Sequence, residues 1–450
     1  MGIDTMPSVA DDSAAERRRE QRGWYFYDWA CAVYSTSVLT VFLGPYLTAV
    51  AKSAADAHGY VHPLGIPVRA GSFFAYCVSA SVILAIVLMP LVGAAADRGG
   101  RKKGLLALCA YVGAAATAGM FFLDGNRYLL GGLLLIVANA AMAVSMVVYN
   151  SYLPQIALPE ERDAVSSRGW AFGYGAGSMM LIADLILYTQ HGSFGLSEAT
   201  AVRICLAAAG VWWGAFTVIP LRRLRDRRTA HTATGPAVHG WRQLVATFRD
   251  MRGTPLTLSF LAAYLIYNDG IQTVISQASV YGSDELGLSQ STLIVAVLLV
   301  QVLAVGGALG MGRLARRYGA KRTILGSLVA WTATLGAGYF LPAGAPVWFF
   351  VLAACIGMVL GGSQALSRSL FSHLVPAGKE AEYFSAYELS DRGMSWLGPL
   401  LFGLAYQLTG SYRDSIISLV VFFAIGFVLL ARVPVRQAVL DAGNPLPERI

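Results

Sequence analysis

Residues Gly93 to Lys102 read G-A-A-A-D-R-G-G-R-K, a basic turn between two apolar runs, and a degenerate copy, G-R-L-A-R-R-Y-G-A-K, occupies Gly312 to Lys321. Each flanking run approaches the roughly 20 apolar residues that a helix needs to cross a bilayer, so the turn joins membrane spans rather than elements of a soluble domain. A second echo has nearly the same offset. Pro159-Glu160-Glu161-Arg162-Asp163-Ala164 matches Pro376-Ala377-Gly378-Lys379-Glu380-Ala381 in the pattern P-x-x-basic-acidic-A, 217 residues apart against 219 for the first pair. Two pairs at almost one spacing describe a chain of two related halves. Such parallel repeats, related by an axis along the membrane normal, let one half rock against the other around a central site.

The composition agrees. Of 450 residues 56% are hydrophobic and only 13% charged, more apolar side chain than one soluble core hides, so lipid is part of the solvent. Met1 to Arg22 is polar and has no apolar stretch ahead of a cleavage site, so no removable secretory signal is expected. The net charge of +8 comes from Lys and Arg clusters beside apolar runs, which reads as membrane topology and not as a nucleic-acid surface. The five cysteines all lie inside apolar runs without metal-type spacing and read as packing residues.

Hydropathy predicts twelve spans, starting near Trp24, Gly71, Gly104, Tyr128, Ser166, Ala201, Thr254, Ser291, Thr323, Pro346, Tyr383 and Tyr412. The expected fold is an all-α membrane protein with twelve transmembrane helices in two pseudo-symmetric six-helix bundles. The bundles cover 24–221 and 254–431, between an N-terminal tail at 1–23, a linker at 222–253 and a C-terminal tail at 432–450. An even span count puts both termini on one side. The clusters Arg17 to Arg22, Arg98 to Lys103, Arg222 to Arg228 and Arg313 to Arg322 fall on that side with Arg432, which makes it cytoplasmic. In the linker Trp241, Leu244, Val245, Phe248 and Met251 recur at helical spacing and predict a helix lying in the membrane interface.

Polar residues at membrane depth are the functional candidates. Asp269 lies about fifteen residues, or roughly 22 Å, into span seven. An ionised Asp at a helix centre costs on the order of 2.5 to 3.5 kcal/mol, so such a group faces a bundle interior, pairs or titrates. Tyr264, Tyr267, Asn268, Gln272 and Thr273 surround it with donors and acceptors. Asp269 is therefore the leading proton-coupling candidate, followed by Asp28 in span one and Glu388 in span eleven. Glu388 and Arg392 stand one turn apart and, with Asp391, could form a charge relay.

In the basic turn Gly93 permits close helix approach and Asp97 can accept orphan amides of a neighbouring helix start, while Arg98, Arg101 and Lys102 hold the turn near anionic lipid headgroups. This set is expected to act as a latch. Its second copy carries Arg316 where the acid would stand and should lack the charged latch. Asp184 late in span five is expected to pair with Arg203. Gly169, Gly173 and Gly177 are spaced for close packing, expected at the interface between the halves.

The pattern Gly-x-x-x-Asp-Arg-x-Gly-Arg-Lys resembles the loop motif of the major facilitator superfamily. More narrowly, Tyr27-Asp28-Trp29-Ala30, Tyr267-Asn268-Asp269-Gly270-Ile271-Gln272-Thr273 and Gly361-Gly362-Ser363-Gln364-Ala365-Leu366-Ser367-Arg368 resemble the vacuole-effluxer-like branch, which contains the autophagy-related amino-acid effluxers of fungal vacuoles and many bacterial members. The first motif departs from that branch at Cys31 and Ala32. The resemblance implies a secondary transporter working by alternating access, with a small polar solute, an amino acid or related zwitterion, as its partner. It places spans one, four, seven and ten around a central cavity. Tyr27, Tyr149, Asn150, Gln364 and Arg368 then join Tyr264, Tyr267, Asn268 and Gln272 as candidate substrate contacts.

No G-x-x-x-x-G-K-[ST] loop is present, so a proton gradient is the expected energy source. His58 and His62 lack a third ligand, and no nucleophile and histidine set suggests a hydrolase. No metal, cofactor or enzymatic activity is expected, and a monomer in a bacterial cytoplasmic membrane is the simplest assembly. Two alternatives stay open: an uncoupled facilitative exporter, and a non-transporting sensor or scaffold that kept the fold.

Overall fold

The computed structural model describes residues 13–70, 73–99, 101–227, 249, 251–392, 397–409 and 411–448. Span one runs Ala14–Val33, continues as a π-helix over Tyr34–Phe42 and ends in Leu43–Ser53. Spans two to six are Phe73–Gly99, Lys102–Gly119, Tyr128–Asn150, Arg162–Thr189 and Glu198–Arg223. Spans seven to ten are Pro255–Val280, Gln290–Tyr318, Ala320–Tyr339 and Pro346–His373. Span eleven comprises Glu380–Arg392 and Leu397–Thr409, and span twelve Tyr412–Ser418 and Val420–Arg432. Among the described residues nine of these helical stretches are long and apolar enough to cross a membrane by composition alone.

Local chemistry sets the starts. Ser13 and Glu16 form a capping box that begins span one at Ala14, well before the apolar run. Ser197, Ser289 and Ser411 each accept a first-turn amide of spans six, eight and twelve. Pro255 and Pro346 occupy the first positions of spans seven and ten, where a missing N–H costs nothing. Outward faces are apolar and bare: Ile83, Leu108 and Val211 are each more than 60% exposed, as suits contact with lipid.

Each half has its own core. Trp24, Tyr149, Tyr152 and Trp213 centre the first, and Phe260, Tyr267, Trp331 and Phe423 the second. The linker helix expected over Trp241 to Met251 lies outside the described residues, except that Met251 is buried in the second core. After Arg432 the chain forms a short helix, Val435–Asp441, with Val435, Ala438 and Val439 buried. Asn444 then donates to the carbonyls of His373 and Val375 and so closes the end of span ten.

Two expectations change. Gly173 and Gly177 pack span five onto span one, facing Ala32 and Thr36 inside the first half, whereas Gly169 faces Asp28 and Trp24 and also Arg368 of span ten, whose Nη2 a Cβ would meet at 3.0 Å, so it reaches the interface between the halves as well. Arg203 pairs with Asp124 at 3.3 Å, while Asp184 is buried and accepts the Ser37 hydroxyl.

At the basic end the halves clasp each other reciprocally. The span-two glycine, Gly93, lies against span eleven so closely that a Cβ there would meet the Ala381 carbonyl oxygen at 2.7 Å. Its copy Gly312 lies against Ser167, whose Cβ would stand 2.7 Å away, and near the Asp163 carbonyl. The two echoes therefore meet: each turn glycine receives the other half's P-x-x-basic-acidic-A segment. Gly93→Val is expected to force spans two and eleven apart at a cost of about 1–3 kcal/mol. Cysteine accessibility at Ser385 should rise in that variant; unchanged accessibility would show that the contact is not tight.

Candidate functional site

A cavity of about 640 Å³ lies between the halves. Its floor carries Asp28, Asn150, Arg368 and Glu388, and it runs past Thr36 and Gln301 toward Thr40, Tyr281 and Leu293, away from the basic turns. The volume falls within the roughly 300–1,000 Å³ typical of small-molecule pockets.

The floor is an ion pair across the halves. Both terminal nitrogens of Arg368, on span ten, lie 3.3 Å from Asp28 Oδ2 on span one. Tyr149 donates its hydroxyl to the same oxygen at 2.6 Å. Arg368 Nε donates to Ser166 Oγ and Nη2 to the Ser166 carbonyl, both at 2.9 Å, and Nη1 reaches Asn150 Oδ1 at 3.4 Å. The guanidinium also lies over the rings of Trp24, Trp170 and Tyr149 at 4.7, 5.3 and 5.7 Å. Desolvated cation–π contacts of this kind contribute up to about 2 kcal/mol each. Arg368 is 1% exposed, so charge, hydrogen bonds and rings together stand in for water.

A second bridge runs beside the first. Asn150 Nδ2 donates to Glu388 Oε1 at 2.7 Å, linking span four to span eleven. On the second-half wall Asp391 Oδ1 accepts Asn268 Nδ2 at 2.6 Å and the Tyr264 hydroxyl at 3.0 Å. Gln364 accepts from Tyr174 at 2.5 Å.

Of the predicted substrate contacts, Asn150, Tyr264, Gln272, Gln364 and Arg368 line the cavity. Tyr27 does not: it is fully buried in the first core against Tyr149, with ring centroids 5.0 Å apart. Tyr149 acts behind the lining through Asp28, Asn268 acts through Asp391, and Tyr267 bonds Ser367 at 2.7 Å within the second half. Of the predicted proton carriers, Asp28 and Glu388 line the cavity and Asp269 does not. Asp269 is 2% exposed, and its Oδ2 accepts the Gly398 amide of span eleven at 2.7 Å. That bond ties span seven to span eleven within the second half, while Asp269 Oδ1 is buried with no partner among the described residues. Asp269→Asn keeps an acceptor there and is expected to leave flux within about threefold, whereas Asp269→Leu leaves the amide unsatisfied and costs about 1–3 kcal/mol. Loss of flux in the asparagine variant would restore Asp269 to the transport chemistry.

The latch residues divide as well. Lys102 Nζ lies 2.9 Å from Asp97 and 3.3 Å from Glu380 across the halves, all three buried. Asp97 Oδ2 accepts the Glu382 amide at 3.0 Å in the first turn of span eleven. Arg101 is exposed, and the side chains of Arg98 and Arg392 lie outside the described residues. The other side of the seam uses residues that the candidate set omitted. Ser369 donates to Asp163 at 2.6 Å, Arg162 donates to the Ser372 carbonyl at 2.8 Å and approaches His373, and Ser166 donates to the Ala365 carbonyl at 2.7 Å. Arg162 and Asp163 belong to the first echo and Glu380 to the second, so repetition alone could have pointed to them. Trp24 and Trp170 had no such signal, because their partner Arg368 is distant in sequence. Among the described residues no cluster suited to a metal is present.

The model of the family described as "Vacuole effluxer Atg22 like" matches residues 16–443. The chain is 30% identical over 434 residues to the "Uncharacterized MFS-type transporter YxiO" of Bacillus subtilis (strain 168), covering 95% of this chain and 98% of that protein. It is 25% identical to "Autophagy-related protein 22-1" of Penicillium rubens, covering 96% and 92% of the two chains. Among solved structures, the E. coli fucose:proton symporter FucP superposes with a TM-score of 0.68 at 12% identity, covering 93% and 98%. The proton:xylose symporter XylE superposes with a TM-score of 0.67 at 13% identity, covering 93% and 94%. The twelve-helix fold is thus that of the major facilitator superfamily, and the chain is a membrane transporter and not an enzyme. It belongs to the Atg22-like vacuole effluxer family.

Proposed function

We propose that this protein is a secondary active transporter that moves a small polar solute by alternating access, coupled to protons, in a cytoplasmic membrane with both termini and the basic turns in the cytoplasm. In that orientation the clasped end faces inward and the cavity faces outward. The observation that carries the reading is the Asp28–Arg368 pair at the cavity floor, which ties span one to span ten at the point where the halves must part. The family resemblance points to amino acids or related zwitterions as the solute class and to export.

Asp28 is the proposed proton carrier in place of Asp269. It faces Arg368 from span ten, Tyr149 from span four and, through Asn150, Glu388 from span eleven. Protonation of Asp28 removes the charge that holds the guanidinium, and Arg368 then turns toward Glu388. The strut across the halves loosens, and the floor opens only when a proton has arrived. Asp28→Asn in liposomes is expected to abolish accumulation driven by a pH gradient while solute exchange persists. Accumulation at the native level in that variant would overturn proton coupling through Asp28.

A further inference from the structure

Arginine at the bottom of a transport cavity suggests a seat for a substrate carboxylate, but Arg368 is occupied. It makes five hydrogen bonds to four acceptor atoms, Ser166 Oγ, the Ser166 carbonyl, Asp28 Oδ2 and Asn150 Oδ1, and three aromatic rings cover its faces. A solute carboxylate would have to displace Asp28 before it gained a bond. The acids of the lining are held as well, Glu388 by Asn150 and Asp391 by Tyr264 and Asn268.

The open donors lie elsewhere. Gln364 of span ten borders the cavity with its Oε1 turned to the other half, where it accepts the Tyr174 hydroxyl at 2.5 Å. An amide fixed in that sense presents Nε2 as a donor, and no partner for that nitrogen appears among the described residues. Gln272 of span seven borders the same cavity, and its amide makes no hydrogen bond among the described residues. The two amides stand at nearly one depth. Spans seven and ten run in opposite directions and meet at the Tyr267–Ser367 bond. Gln272 is five residues past Tyr267 and Gln364 three before Ser367, so at 1.5 Å per residue they differ by about 3 Å along the helix axes. Trp170 of span five, whose ring lies 5.6 Å from that of Tyr174, also borders the cavity and keeps its Nε1 buried with no partner among the described residues.

We propose that two uncharged amides seat the head group of an α-amino acid. Gln364 donates to the carboxylate. Gln272 donates to the carboxylate through Nε2 and accepts the ammonium at Oε1, the two ends of one amide meeting the two charges carried on one carbon. Trp170 Nε1 supplies a third donor, and Arg368 stays with Asp28. Tyr174 is a positioning residue, since it occupies the Gln364 oxygen and so fixes which way that amide faces. Toward the end away from the basic turns Leu39, Val297, Val300 and Ile356 line the walls and suit an apolar side chain. This deepens the transport reading and rests on it.

Three compounds with one apolar side chain separate the charges: leucine carries both, N-acetylleucine only the carboxylate and leucinamide only the ammonium. Thermal unfolding of the full-length protein in detergent, followed by competition in liposome flux, measures each at neutral pH. Leucine is expected to bind about 10- to 100-fold more tightly than leucinamide, the value of hydrogen bonds to a charged group, with N-acetylleucine between them. Gln364→Leu and Gln272→Leu should each weaken leucine about 10-fold or more. Gln364→Glu places a negative charge in the seat and should reverse the order, so that leucinamide binds better than leucine. Tyr174→Phe frees the Gln364 amide to turn and should lower the ratio of leucine to leucinamide affinity, a readout that a purely structural tyrosine would not move. Leucinamide binding as tightly as leucine, or a native preference for leucine in Gln364→Glu, would overturn the amide seat and leave the transport reading standing. No response to any of the three, in binding or in flux, would overturn both.

Discussion

Replacing Arg368 by alanine is expected to reduce solute flux at least about 100-fold and to destabilise the folded protein by about 3–5 kcal/mol, the cost of leaving a buried charge without its partner. Asp28 would lose its counter-charge, Ser166 and Asn150 would lose a donor, and Trp24 and Trp170 would face an empty volume. Lysine should not rescue flux, because three rotating donors cannot reproduce a planar fork that makes five hydrogen bonds to four acceptor atoms. The double variant Arg368→Ala with Asp28→Ala separates the two effects. It should regain much of the thermal stability and none of the flux. Native flux in the single variant would remove the floor pair from the transport cycle altogether.

Lys102→Met is expected to have the second large effect, on the balance between conformations. Lys102 bridges the carboxylates of Asp97 and Glu380, which approach from opposite halves. Without it two buried acids face each other across the seam, and the closed arrangement loses about 3–5 kcal/mol. Each 1.4 kcal/mol is a factor of ten in population, so the basic end should spend most of its time open. Spin labels on spans two and eleven would read this as a longer distance, and outward binding should weaken in proportion. Removing the second acid with Glu380→Gln, which returns the cluster to its native net charge, should restore part of the closed population. An unchanged label distance would mean that the backbone contacts of Gly93 and Asp163 hold the seam without the charges.

The fold was largely legible from sequence, because apolar runs of spanning length leave a chain few alternatives in lipid. The site was legible in part. Hydropathy places a residue along a helix axis but not around it, and neighbouring residues point about 100° apart. Asp269 turns toward span eleven and accepts the Gly398 amide, a partner that nothing in span seven announces. Asp28 ranked below it because span one was begun at Trp24. The capping box at Ser13 and Glu16 already marked an earlier start, which carries Asp28 deeper into its helix. Gln364 could be placed by resemblance alone, whereas the aromatic cover on Arg368 joins residues from three spans and has no local pattern.

The reciprocal clasp has a consequence for how such a chain can be assembled. Each half presents a glycine notch and supplies the peg that fits the other's notch, so the information for pairing is shared equally between them. A chain cut between Arg227 and Arg249 and produced as two polypeptides should therefore reunite in the membrane without the covalent tether. Two copies of the first half would not, for Gly93 requires the Ala381 segment and Lys102 requires Glu380. What began as a duplication has become an obligate partnership of two dissimilar sisters.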